Sequence, residues 1–343
     1  MAIKGKPEEK KKTETEVSPQ TIKTKSKTEK QDGVLAEPKT DKAKEVKPKV
    51  KEPDLDKFGD LVNLVAKAKE VKDLKPMFYK HLLKILNRNT VSNLYHVLFI
   101  YEPNKSIDQG MADKIYNAIP DNNDKPILII IHNNGGRIEP AYLISKTCKE
   151  LSPKFVVAIP RKAKSAATLI SLGAREIHMG PMSEIGPIDP QFGGLPALGT
   201  GSSLESIAKI VTKYPKSSSM FAEYLKDKLD LRILGYFERV SESAKQYAIR
   251  LLNDKTLPIK IEDLAHKLVY EYKDHSFVID KEEACELLGD VVKVNSDEYK
   301  LSNEIHKFLT NVNFMTELFH KKSIAIVGSI RDFDISDYKE NKE

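Results

Sequence analysis

Ser165 is the residue whose type and position best suit covalent chemistry. It heads the segment AKSAATLISLGA (163 to 174), which has the composition of a helix. The positive end of the helix dipole and the free N–H of Ala166 would lie beside its hydroxyl. A small polar residue in this position is commonly just a helix cap. The local sequence therefore allows two interpretations of Ser165, a cap or a nucleophile.

Two consecutive glycines, Gly135 and Gly136, follow the apolar run PILIIIH (126 to 132). Glycines at the end of a strand permit a sharp turn and expose backbone N–H groups without obstruction by side chains. Acyl transfer requires a nucleophile beside two such donors, and Gly136 and Ala166 are candidates for these donors next to Ser165. Since ligands bind at the carboxyl ends of parallel strands, we expect the two loops to form one site.

The elements that must position these loops alternate between strand and helix from about residue 94 to residue 180. This alternation predicts an α/β core with a largely parallel sheet. Residues 203 to 272 have helical periodicity, and HSFVI (275 to 279) has an extended pattern. Further along the chain we expect a helix capped by Asp280, then the strands VVKV (291 to 294) and SIAIVGSI (323 to 330).

These patterns divide the chain into four parts. Residues 1 to 52 hold 15 lysines and 10 acidic residues and no aromatic residue, which predicts a disordered lysine-rich tail. A helical prelude (53 to 93), the main domain (94 to 300) and a C-terminal helix and strand with a charged tail (301 to 343) follow. The tail carries most of the net charge of +6, so contact with an acidic partner or nucleic acid is a property to expect of the tail alone.

Several functional classes are disfavoured by the sequence. It contains no long apolar run and no apolar signal segment, so we expect a cytoplasmic protein without a membrane span. Cys148 and Cys285 are too few for a disulfide framework or a cysteine-based zinc site. His132 and His178 are interpreted as structural residues at strand ends, and no metal-binding or nucleotide-binding motif is found. We therefore expect no metal and no cofactor.

Three segments resemble the serine dehydrogenase proteinase family, a branch of the Clp-protease and signal-peptide-peptidase-A clan. They are ILIIIHNNGG, AKSAATLISLGAREIHMGPMSEIGPIDPQFGG and HSFVIDKEEACELLG, and the resemblance covers roughly residues 94 to 295. It implies a ClpP/crotonase-like spiral β/α core, a homo-oligomer and a serine peptidase acting on peptide or protein substrates. Ser165 would be the nucleophile, and Gly135, Gly136 and Ala166 would form the oxyanion and substrate-binding loops.

A serine nucleophile requires a base, and the sequence leaves its identity open. His275 lies in a segment that resembles the one supplying the acidic triad member in Clp-type proteases, and it could pair with Asp189 or Asp274. Signal-peptide peptidases of the clan use a Ser-Lys dyad, which makes Lys216, and less so Lys213, a second candidate. Asp189 acting alone is the third.

Two other functions compete with the peptidase. The same fold supports crotonase-type acyl-CoA chemistry, in which two backbone N–H groups stabilise a thioester enolate. The chain also departs from the family pattern at three places. It has NNGG where family members usually have Thr-Pro-Gly-Gly, Lys164 where they have an apolar residue, and alanines instead of glycines after Ser165. These departures motivate a non-catalytic scaffold as the other alternative.

Overall fold

The computed structural model describes residues 52–121, 123–192, 195–196 and 199–338. The predicted lysine-rich tail lies outside the described residues except for Glu52. The α-helices are α1 (Phe58–Lys67), α2 (Lys75–Arg88), α3 (Gln109–Ala118), α4 (Ile138–Glu150), α5 (Ala166–Leu172), α6 (Gly199–Lys213), α7 (Ser218–Lys228), α8 (Leu231–Leu252), α9 (Ile261–His266), α10 (Lys281–Leu288) and α11 (Asp297–His320).

The strands alternate with the helices through the middle of the chain. They are β1 (His96–Tyr101), β2 (Ile127–His132), β3 (Phe155–Ala158), β4 (Lys162–Ala163), β5 (Glu176–Met179), β6 (Glu184–Ile185), β7 (Gln191–Phe192), β8 (Leu195–Pro196), β9 (Val292–Val294), β10 (Lys322–Gly328) and β11 (Phe333–Asp337).

The central sheet has the strand order β11-β10-β1-β2-β3-β5-β9. Neighbouring strands from β1 to β9 pair in parallel, whereas β10 is antiparallel to both β1 and β11. The predicted α/β fold with a largely parallel sheet is confirmed. Strand β11 was not predicted, because Phe333 and Ile335 alternate with polar residues over only a few positions of a charged segment.

Helices cover both faces of the sheet. Leu98 and Ile100 of β1 belong to a core shared with α3, α4 and α5, whereas Phe99 and Tyr101 belong to a core shared with α1, α2 and α11. A central parallel strand that is buried on both faces requires apolar side chains at successive positions. This requirement accounts for the unbroken apolar run of β2.

A second ladder lies beyond the carboxyl ends of the main strands. Asn133 bridges to Ala163, strand β4 pairs with β6, and Ile185 of β6 bridges to Ile279. The first three segments of this ladder follow β2, β3 and β5 directly in the chain. Segments that are distant in sequence are thereby held side by side next to Ser165.

Among the described residues, no helix is both long enough and apolar enough to span a membrane.

Candidate active site

The backbone of Ser165 has a conformation that serine rarely adopts. Its φ and ψ are 50° and −119°, and its side chain makes no hydrogen bond that caps α5. A non-glycine residue in this region costs of order 1–3 kcal/mol, and such residues cluster at functional sites. The structure therefore does not support the interpretation of Ser165 as a side-chain cap. The two alanines that follow are fully buried, so their methyl groups face the core.

Gly135 lies directly against Ser165. A Cβ atom added to Gly135 would stand 2.7 Å from both the Ser165 Cβ and the Lys164 carbonyl oxygen, and 3.0 Å from the Ala166 nitrogen. The φ of Gly135 is also positive, at 101°. Only glycine satisfies both constraints, and its backbone approaches the serine and the start of α5 without obstruction.

Gly136 is held from one side by Ile107. The Ile107 N–H donates to the Gly135 carbonyl (2.8 Å), and the Arg137 N–H donates to the Ile107 carbonyl (2.9 Å). In a parallel bridge of this kind, the residue between the two bonds directs its own N–H to the opposite side. Gly136 lines the same cleft as Ser165, so its N–H is suited to bind an oxyanion beside the serine.

The side chain of Asn133 fixes the glycine turn. Its Oδ1 accepts from the Gly135 N–H (2.7 Å), and its Nδ2 donates to the carbonyls of Glu102 (2.5 Å) and Lys105 (3.1 Å). Asn133 is fully buried. The Gly135 N–H is thus engaged, so the N–H groups of Gly136 and Ala166 are the remaining candidates for oxyanion donors in this turn. The sequence analysis did not identify this role, although a polar residue two positions before a glycine is a common turn signal.

His275 and Asp189 form a hydrogen-bonded pair. His275 Nδ1 lies 2.7 Å from Asp189 Oδ1, and Asp189 Oδ2 accepts from Gln191 Nε2 at 2.7 Å. Asp189 is only 5% exposed. Because an ionised carboxylate can only accept, this contact favours the neutral imidazole tautomer with its proton on Nδ1, in which Nε2 keeps a lone pair that suits a base. Gln191 is a site residue that the sequence analysis missed.

Ser165 and His275 line one cleft of about 670 Å³. Ile188, Pro190 and Gln191 form the wall beside the histidine, and the same cleft contains both glycines of the turn. The structure thus brings together Ser165, Gly135, Gly136 and the His275–Asp189 pair. With Ala166 next in the chain, these residues are candidates for a nucleophile, a base with an orienting carboxylate and two amide donors.

The lysine candidates lie elsewhere. Lys216 is exposed on the short 3-10 helix Pro215–Ser217, and it is not among the described residues that line the cleft. Lys213 Nζ lies 5.2 Å from the centroid of the Tyr214 ring. Asp274, the other suggested partner of His275, instead accepts from the N–H and hydroxyl of Ser276 (2.8 and 2.7 Å).

His132 and His178 pack in the interior. The His132 ring lies 5.0 Å from the Tyr101 ring and 4.7 Å from the His306 ring, measured between centroids. Burial lowers the pKa of His132 to about 3, so its imidazole is neutral. His178 Nδ1 is hydrogen-bonded to the Ser296 hydroxyl at 2.6 Å. Both residues contribute to packing at strand ends.

The thiols are also unsuited to catalysis. Cys148 is fully buried, which raises the pKa of its thiol to about 12. Burial and the neighbouring Glu282 also raise the pKa of Cys285. Within the described ranges, no group of His, Cys, Asp and Glu side chains could hold a metal ion.

The sequence is similar to those of known proteins. The family model of the ClpP-like SDH-type serine proteinases matches residues 95–312. The uncharacterized protein MJ0137 of Methanocaldococcus jannaschii is 31% identical over 184 residues, which cover 54% of this chain and 59% of that protein. The chain thus spans somewhat more than half the length of this relative.

Two solved structures show a distant similarity. A mutant of the 1510-N membrane-bound stomatin-specific protease has a TM-score of 0.38 and 15% identity, covering 69% of this chain and 93% of that chain. ClpP1 from Listeria monocytogenes has a TM-score of 0.34 and 15% identity, covering 63% of this chain and 98% of that chain. Because the family model matches well over half of the sequence, the chain belongs to the ClpP-like SDH-type serine proteinase family.

Proposed function

We propose that this chain is a serine peptidase that cleaves peptide bonds through an acyl-enzyme on Ser165. The observation that supports this function best is that Ser165 and His275 line one cleft, with Asp189 hydrogen-bonded to His275. A nucleophile, a base and a carboxylate that orients the base are the parts that acyl transfer requires. Membership of a serine proteinase family is consistent with the proposal.

In the acylation step, Ser165 Oγ attacks the carbonyl carbon of the substrate. Its proton passes to His275 Nε2, and the resulting imidazolium is stabilised by Asp189 at Nδ1. The carbonyl oxygen becomes an oxyanion, which accepts from the N–H groups of Gly136 and Ala166. A single donor of this type is commonly worth about 10²–10³ in kcat.

The tetrahedral intermediate then collapses and the C–N bond breaks. His275 gives its proton to the leaving amine, which completes the acyl-enzyme. A water molecule takes the place of the amine, His275 removes its proton, and the new carboxyl group is released as the proton returns to Ser165 Oγ. Every proton transfer in this sequence, to or from Ser165, the leaving amine or water, passes through the imidazole of His275.

The substrate is proposed to be an extended peptide lying beside residues 134–138. These residues line the cleft together with Ser106 and Lys105 of the facing loop. Backbone hydrogen bonds to an added strand are independent of side-chain identity, so broad sequence tolerance is expected. Cleavage within a chain, rather than at its ends, is tested with peptides blocked at both termini.

A homo-oligomer is part of the same proposal, because family membership suggests a subunit that assembles with copies of itself. Size-exclusion chromatography with light scattering tests it on the full chain. A mass equal to one chain, at concentrations at which the protein is active, would contradict this part.

The decisive experiment uses a fluorophosphonate probe, with mass spectrometry to locate the adduct. We expect labelling at Ser165, no labelling in Ser165→Ala and at least 10²-fold slower labelling in His275→Gln. Lys216→Ala is the matched control and is expected to label at the wild-type rate. Absence of an adduct on Ser165 in the wild-type protein would instead favour the scaffold alternative.

A further inference from the structure

Lys164, the residue before Ser165, has an unusually enclosed ammonium group. Its side chain is 12% exposed, and Nζ lies 3.0 Å from Glu184 Oε2. Nζ also donates to the carbonyls of Phe277 (2.9 Å) and Ser276 (3.4 Å). An ammonium group removed from water requires compensation of this kind. A fourth acceptor, the Ile185 carbonyl, lies 3.5 Å from Nζ. The four contacts join the strand that leads to Ser165 with two other segments.

The packing around the lysine stem is equally close. A Cβ atom added to Gly186 would stand 2.6 Å from Lys164 Cδ. Glu184, two residues earlier, is 8% exposed and is also 3.5 Å from Arg161 Nη1. The β6 segment therefore provides both a groove for the stem and a carboxylate for the charged end of Lys164.

The carbonyls that Lys164 binds directly follow His275 in the chain. The backbone N–H groups of Ser276 and Phe277 bond locally, since both return to Asp274. The His275 side chain makes the long-range bond to Asp189. Beyond the turn, Ile279 is fastened to Ile185 by two backbone hydrogen bonds of 3.0 and 3.1 Å. Lys164 directly precedes the candidate nucleophile, Ser165. Its side chain therefore ties the backbone beside the candidate base, His275, to the backbone that carries Ser165.

We infer that Lys164 is a positioning residue that fixes the His275 segment relative to Ser165. The expected effect of Lys164 on the reaction rate rests on the proposed peptidase function. Its expected effect on the position of the His275 segment does not. A displacement of about 1 Å at a reacting pair can cost 10²-fold in rate. Lys164 transfers no proton in this role, because its donors are engaged by Glu184 and the carbonyls of Phe277, Ser276 and Ile185.

The test compares Lys164→Met with Lys154→Met. Lys154 Nζ also forms an ion pair, at 2.7 Å from Glu176, but the bond lies at the opposite end of the main strands. We expect Lys164→Met to lower kcat for peptide hydrolysis and the rate of fluorophosphonate labelling about 10- to 100-fold, with KM changed less than about threefold. Lys154→Met should leave both rates within about twofold of wild type.

Backbone hydrogen exchange measures how firmly the His275 segment is held, independently of activity. Residues 273–278 should exchange at least tenfold faster in Lys164→Met than in wild type, and at the wild-type rate in Lys154→Met. In Lys164→Met, the Glu184 carboxylate is left with its 3.5 Å contact to Arg161, so the double variant Lys164→Met/Glu184→Gln removes both partners of the buried pair and guards against loss of the fold. Glu184→Gln alone keeps the bonds to the carbonyls and should retain at least half of the labelling rate.

Two results would overturn the inference. One is unchanged exchange of residues 273–278 in both Lys164 variants, and the other is a loss of rate in Glu184→Gln as large as that in Lys164→Met. If wild-type Ser165 is not labelled at all, the proposed function fails. The exchange comparison then still decides whether Lys164 holds the His275 segment.

Discussion

His275 and Asp189 are separated by 86 residues in the chain, yet their Nδ1 and Oδ1 atoms lie 2.7 Å apart. The carboxylate is buried and also bound by Gln191, whereas the imidazole side chain is 26% exposed and faces the cleft that contains Ser165. A fixed carboxylate behind a solvent-accessible imidazole sets the tautomer and leaves Nε2 for proton transfer.

Asp189→Asn tests this pair. The substitution preserves shape, but an amide N–H facing Nδ1 favours the tautomer that places the proton on Nε2. We expect kcat for peptide hydrolysis to fall by about 10³-fold or more, with the protein still folded.

Asp274→Asn is the matched control, because an asparagine oxygen can still accept from Ser276 in the same turn. Its rate should remain within about threefold of wild type. A larger loss for Asp274→Asn than for Asp189→Asn would identify Asp274 as the working partner of His275.

Gly135→Ala should inactivate the protein without unfolding it. The added methyl group would meet Ser165 and the Lys164 carbonyl at 2.7 Å, at a positive φ of 101°. We expect fluorophosphonate labelling of Ser165 to slow by at least 10²-fold while the circular dichroism spectrum is retained.

Gly110→Ala provides the comparison, since a Cβ at this helical position has its nearest neighbour, Asp108 Oδ1, at 3.4 Å. Alanine is favoured over glycine in a helix by about 1 kcal/mol, so this variant should be as active as wild type and no less stable. Equal labelling rates in the two glycine variants would argue against close packing of Gly135 on Ser165.

Asn133→Ala should be strongly destabilising. It removes the acceptor of the Gly135 N–H and two donors to backbone carbonyls in a fully buried position. Loss of buried hydrogen bonds costs about 1–3 kcal/mol for each group left unsatisfied, so we expect the free energy of unfolding to drop by about 3 kcal/mol.

Chemical denaturation measures this change, with Asn134→Ala as the control. Asn134 is exposed and makes one hydrogen bond, of 2.8 Å, to the Pro103 carbonyl. Its removal should cost less than about 1 kcal/mol. Similar losses in both variants would show that Asn133 has no special role in the turn.

Stability should fall below pH 6.5, in part because of His132. Burial, and to a smaller extent the nearby His306, lowers the folded-state pKa of His132 to about 3. The unfolded chain, with a histidine pKa near 6.5, therefore binds more protons than the folded chain between these values. Stability must then rise with pH across this window, and His132 alone should contribute about 2 kcal/mol of loss between pH 7 and pH 5.

His132→Phe tests this sign. Phenylalanine can pack between the Tyr101 and His306 rings and does not titrate, so the difference in unfolding free energy between pH 7 and pH 5 should shrink by about 2 kcal/mol. His306, whose pKa is lowered to about 4 by burial, remains in the variant and keeps part of the acid sensitivity. If the difference in unfolding free energy between pH 7 and pH 5 is the same in His132→Phe and wild type, His132 takes up its proton in the folded protein over the same pH range as in the unfolded chain.

Much of the fold follows from local patterns. The apolar run of β2 and the alternation of strands and helices predict a parallel sheet, because both faces of such a strand must be buried. Asp280 was predicted to cap α10, and its side chain does accept from the Glu283 N–H at 2.9 Å. Strand β11 was missed, since five residues with two apolar side chains resemble a charged tail.

Ser165, Gly135, Gly136 and Ala166 could be proposed from the sequence because each belongs to a loop that follows a predicted strand. Residue type, loop position and the order of the elements are local properties, and they limit which backbone groups can meet at one edge of a sheet. Local sequence patterns did not decide between His275 and Lys216 as the base, because both residues lie far along the chain from Ser165.

Only the tertiary structure decided which side chains meet. The ladder from Asn133 through β4 and β6 to Ile279 holds four distant segments in register, and it places His275 at Asp189. The enclosed position of Lys164 is likewise produced by Glu184 and two carbonyls from another segment. Long-range pairing of this kind depends on the packing of the whole sheet, whereas a turn or a cap depends on a few neighbouring residues.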